Sequence, residues 1–71
     1  MVRAFTTDEP FLESDYIGKS EADARMTATL NKYTSRVVRK DGEAYIITAD
    51  FREDRVNFEI EQEVVTRAFT G

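Results

Sequence analysis

The residues best placed to do chemistry in this chain sit in one polar stretch, Thr48 to Asp54, followed directly by Arg55. It holds a hydroxyl at Thr48, carboxylates at Asp50, Glu53 and Asp54, and a guanidinium at Arg52, but no glycine. Histidine and cysteine are absent from the whole chain. That removes the usual general base, the commonest metal ligand and any thiolate nucleophile. Asp41, Asp50 and Asp54 suggest calcium, but their spacing fits no EF-hand loop, and a solvated acidic surface is the simpler account. Gly18-Lys19-Ser20 resembles the end of a phosphate loop without its earlier glycines, so the match is chance or a helix cap. What remains is recognition rather than catalysis: side chains that can hydrogen-bond neighbouring backbone and stiffen an exposed segment. The chain is therefore expected not to be an enzyme, and to need neither cofactor nor metal.

Size and charge narrow the choice further. With 71 residues there is room for one domain. A domain of this length buries only about 60% of the surface its unfolded chain exposes, so few core residues are dispensable. Fourteen acidic against ten basic residues give a net charge of −4. The basic residues are scattered, which argues against a nucleic-acid backbone as partner. No stretch is long and apolar enough to span a membrane. The opening MVRAFTTDEP lacks the apolar middle of a secretory signal. A cytoplasmic location is expected as the sequence is written, or a secreted or periplasmic one if a leader has been removed.

The elements that must position the polar stretch are legible in outline. Residues 1–15 read as an extended arm, with Phe11 and Leu12 able to pack back on the domain. Ser20-Glu21-Ala22-Asp23 reads as a helix start, with a hydroxyl to cap the first turn and carboxylates to complement the dipole. Ala22, Ala24, Met26, Ala28 and Leu30 alternate as in a strand, yet three of the five are alanine, and a helix is predicted. Its buried face stays open between two stripes. One is Ala22, Met26, Leu30 and Tyr33; the other is Ala24 and Ala28.

Ser35–Lys40 reads as a strand and Asp41-Gly42 as a turn. Ala44–Thr48 is β-prone. Val56, Phe58 and Ile60 alternate with polar residues in Arg55–Glu61, the pattern of a strand with one buried face. Val64–Phe69 follows as a last short strand. The predicted fold is α+β, one helix on a small mixed sheet, spanning residues 16–71. Thr48–Asp54 is too long for a tight hairpin turn. It is predicted to run as an exposed extended loop, the kind of element on which binding function concentrates.

These residues also carry a resemblance. Arg36-Val37-Val38-Arg39-Lys40-Asp41-Gly42-Glu43, then Ile47-Thr48-Ala49-Asp50-Phe51-Arg52-Glu53-Asp54-Arg55-Val56-Asn57, is similar to the core of a bacterial peptidase-inhibitor family related to the potato inhibitor I proteins. Gly18-Lys19-Ser20 resembles the opening of the helix in that group, and the likeness runs from about Ile17 to Gly71. The resemblance implies a potato inhibitor I-like wedge whose loop enters a serine protease as a substrate would. It implies a reactive-site loop made of Ile47, Thr48, Ala49, Asp50, Phe51 and Arg52. The scissile-type bond would be Ala49–Asp50, with Ala49 as the specificity residue. Arg55, Asn57 and Gly71 would support the loop from behind, the Gly71 carboxylate helping to anchor the arginine.

Such a loop works by strand-like main-chain pairing in the protease cleft, and prior rigidity reduces the entropy lost on binding. Charge-assisted bonds from Arg55 to Thr48 and Asp50 are expected to supply that rigidity. The plain alternative is an ordinary strand arginine paired with Asp50 or Asp54. Two departures from the family pattern matter. A larger apolar residue is usual where Ala49 stands, so a subtilisin-like or elastase-like partner with a small or shallow pocket is expected. The tryptophan before the helix is missing, and Tyr16 is the nearest large residue to take its place. The rival expectation is a non-inhibitory module on the same scaffold, binding another protein or itself through a strand edge. The oligomeric state is left open.

Overall fold

The structure, a computed structural model, describes residues 11–71. The part of the expected arm formed by residues 1–10, including Pro10, lies outside the described residues. Residues 13–15 do not continue an extended arm. They form one 3-10 turn, Glu13–Asp15. The Glu13 carboxylate accepts from the Ala68 amide at 3.0 Å, which ties this turn to the last strand. Phe11 stacks on Tyr16 at 5.5 Å and meets Tyr33 edge-on at 6.0 Å, while Leu12 is exposed.

Helix α1 spans Glu21–Leu30. Ser20 caps it, accepting from the Asp23 amide at 3.2 Å, with Glu21 and Asp23 in the first turn where carboxylates suit the dipole. Of the two candidate stripes, Ala24 and Ala28 are completely buried, whereas Met26 and Leu30 are exposed. A methyl-sized face lets the helix axis lie close to the sheet. Four strands make up that sheet: β1 (Thr34–Lys40), β2 (Glu43–Ala44), β3 (Arg55–Glu61) and β4 (Val64–Thr70), in the spatial order β2-β1-β3-β4. β1 and β3 are parallel; the two outer pairs are antiparallel. This is an α+β architecture, one helix packed on a small mixed sheet.

The core forms where α1 meets β3 and β4. Val56, Phe58 and Ile60 alternate inward from β3, joined by Val65 and Ala68 of β4, the two helix alanines and Tyr16. Tyr16 is almost wholly buried, with its ring centroid 5.6 Å from that of Phe58 and its hydroxyl accepting from Asn31 Nδ2 at 3.3 Å. Burial pushes its phenol pKa up.

Two tight turns set the register. Asp41 and Gly42 both take positive φ (52° and 82°) between Lys40 and Glu43, the mirror-image turn that suits the twist of a hairpin. Asp41 Oδ1 also accepts from the Gln62 amide at 2.9 Å, so this carboxylate joins two turns rather than standing free for a cation. The second hairpin turns through Gln62 and Glu63, also at positive φ (50° and 69°), without a glycine.

Parallel pairing of β1 and β3 decides the path of everything between them. The chain leaves β1 at Lys40 and must return to the Thr34 end, because Thr34 lies opposite Arg55. Seven strand residues span roughly 20 Å at about 3.3 Å each. Residues 45–54 cover that return outside any strand or helix, and every residue from 41 to 54 is exposed. The β-prone run Ala44–Thr48 pairs only at its start. Ala44 lies opposite Arg39, and the Tyr45 amide reaches the Val38 carbonyl at 3.0 Å. Among the described residues, no helix is long and apolar enough to cross a membrane.

Candidate functional site

The returning segment crosses in front of the ends of β1 and β3, and polar side chains from both strands hold it. Arg55 is the first residue of β3, with its side chain mostly covered. Its Nε donates to the Gly71 carbonyl at 2.9 Å, which fixes the guanidinium plane. From that position Nη2 donates to the Asp50 carbonyl at 2.7 Å and Nη1 to the Asp50 carboxylate at 3.4 Å. Arg55 thus grips both backbone and side chain of one loop residue. Asp54, the other candidate partner, is held by Arg52 through two bonds of 3.0 Å.

A second grip comes from β1. Arg36 lies in register with Asn57 across the parallel ladder. Its Nε donates to Asn57 Oδ1, and its Nη1 to the Thr48 hydroxyl at 3.4 Å. The expected bond from Arg55 to Thr48 is therefore not the one formed: Arg36 holds Thr48, and Arg55 holds Asp50. Alternation along β3 turns Asn57 to the face opposite the core, yet only 1% of it is exposed. Its amide donates to the Phe69 and Gly71 carbonyls, both at 3.2 Å, while its oxygen accepts from Arg36. A buried amide is tolerable only when it is paired in this way. Asn57 and Gly71 join the two arginine grips into one network.

The Thr48 hydroxyl also donates to the Asp50 carboxylate across the intervening Ala49. That bond is the main reason the Asp50 carboxyl pKa is lowered, with the nearby Arg55 and Arg36 charges adding to it. Asp54 is lowered in the same way by its bond to Arg52, whose own pKa is raised. Thr48 and Asp50 are thus each tied back to the domain, and Ala49 between them is exposed.

The large apolar side chains of the segment are only partly covered, or not at all. Ile46 is fully exposed (103%), Phe51 largely so (71%), and Tyr45 and Ile47 about half. A methyl group added at Gly71 would lie 3.7 Å from the Phe51 ring and 3.4 Å from Asn57 Nδ2, so the ring borders the same network.

Of the residues expected at this site, Thr48, Asp50, Arg55, Asn57 and Gly71 are brought together by hydrogen bonds. Ala49 and Phe51 lie beside them, and Ile47 and Arg52 flank the cluster without joining it. Arg36 is the addition. Its side chain reads as an ordinary strand arginine until the parallel register places Asn57 next to it. Among the described residues, no three His, Cys, Asp or Glu are grouped to hold a metal ion. The arrangement can present a braced backbone to another molecule. Compared with protein-family models, curated proteins and solved structures, the chain matches none.

Proposed function

We propose that this chain is a substrate-like, reversible serine protease inhibitor acting through the segment around Ala49–Asp50. One observation carries the reading. Thr48 and Asp50 are bonded to arginines on two different strands, while Ala49 between them is exposed. A peptide so braced loses little conformational freedom on entering a cleft. It can add main-chain hydrogen bonds there as an extra strand does. If the bond after Ala49 were cut, Asp50 would stay fixed to Arg55 and Thr48 to Arg36, and the Arg36–Asn57 bond would join the two pieces. Religation would then compete with release. No catalytic role and no cofactor belong to this reading.

The single methyl of Ala49 suits a small or shallow pocket, so a subtilisin-like or elastase-like enzyme is the expected partner. The test is inhibition of a panel of serine proteases by the purified protein, with Ala49→Asp and Ala49→Pro as controls. Inhibition at micromolar protein, strongly weakened by both substitutions, is expected. No inhibition of either protease class sinks the reading.

A second reading, self-association without inhibition, is favoured by the edge of the sheet. Among the described residues, β2 pairs only with Arg39 and Lys40 of the seven-residue β1, so the Thr34–Val37 part of that strand has no strand partner on that side. Sedimentation equilibrium separates the two readings: a dimer that inhibits no protease supports this one.

A further inference from the structure

Four large apolar side chains lie within the seven residues 45–51, and they differ in how far the domain engages them. Tyr45 is about half covered, and its amide is tied to Val38. Ile47 is about half covered, and Phe51, although 71% exposed, keeps its ring against Gly71. Ile46 stands fully in water. Between Ile46 and the exposed methyl of Ala49, Thr48 is turned back into its bonds with Arg36 and Asp50. Burying a whole isoleucine side chain contributes about ten- to a hundredfold in affinity, whereas one methyl contributes about fourfold. The larger unspent apolar contact is therefore three residues ahead of Ala49.

We propose that Ile46 is the principal specificity-determining contact of this loop. Its partner is then an endopeptidase with an apolar pocket about 10 Å from its reaction centre, the span of three extended residues, and needs only a shallow pocket at Ala49. This inference rests on the inhibitory reading. The experiment measures inhibition constants of the wild type, Ile46→Ala, Ile46→Val and Ile47→Ala against subtilisin and pancreatic elastase, with a thermal melt of each variant. Because Ile46 is fully exposed, its variants should melt with the wild type. Ile46→Ala is expected to inhibit about ten- to a hundredfold more weakly. Ile46→Val should retain most of the potency, and Ile47→Ala should lose less than Ile46→Ala. If the wild type inhibits and Ile46→Ala matches it within twofold, this inference falls and the inhibitory reading stands. If the wild type inhibits neither enzyme, both fall.

Discussion

Replacing Arg55 by methionine keeps most of the aliphatic stem and removes the guanidinium, so it isolates what the grip contributes. The structure gives three bonds to lose: to the Gly71 carbonyl at 2.9 Å, to the Asp50 carbonyl at 2.7 Å and to the Asp50 carboxylate at 3.4 Å. The last is discounted, since the Asp50 side chain is more than half exposed and water screens the pair. A hydrogen bond with a charged donor contributes about 1.5–3 kcal/mol. The Asp50 carbonyl is near solvent and can bond water instead, so the two bonds together are placed at about 2–3 kcal/mol. A domain of this size has a total stability of only about 3–10 kcal/mol. Arg55→Met should therefore fold, and with a urea slope of about 1 kcal/mol/M its midpoint should fall by roughly 2–3 M. The more telling readout is local. Backbone order parameters at Thr48–Phe51, expected near 0.85 in the wild type, should drop towards about 0.6 or below. A variant that loses stability while the order of these residues stays at the wild-type level would refute the claim that Arg55 holds the segment.

Two further outcomes are expected. The Asp50 carboxyl has a folded-state pKa below its unfolded one, so its contribution is complete above the ordinary aspartate value of about 4 and is lost only as pH falls through the lower folded value. Order at Thr48–Phe51 should hold flat from pH 8 down to about 4 and decline below that. Asp50→Asn should remove the dependence, and an NMR midpoint for Asp50 at or above the ordinary value counts against the bonds described. At the β3–β4 turn, Glu63 holds φ at 69° without being glycine. Glu63→Gly should therefore raise stability by about 1 kcal/mol in chemical denaturation, and a loss would show that the left-handed conformation is not strained there.

Much of the scaffold was legible in the residues themselves. A serine followed by acidic first-turn positions marked the start of α1, Asp41-Gly42 marked a tight turn, and Val56, Phe58 and Ile60 marked a strand with one face inward. These are local signals, written in capping chemistry, φ preference and side-chain period. The exposure of the polar stretch after Thr48 was local too, since such a run has no reason to be buried.

Tertiary structure alone decided the rest. Ala24 and Ala28, rather than the larger stripe through Met26 and Leu30, face the sheet, because close packing of a helix on Phe58 and Val56 favours small side chains. Ala44–Thr48 has strand propensity but bonds β1 only at its start, through Ala44 and the Tyr45 amide, since the chain must travel back along β1 to enter β3 in parallel. The same parallel register set Arg36 beside Asn57, twenty-one positions further along the chain, and so supplied the grip on Thr48. No local period encodes a partner at that separation; it exists only once β1 and β3 lie side by side.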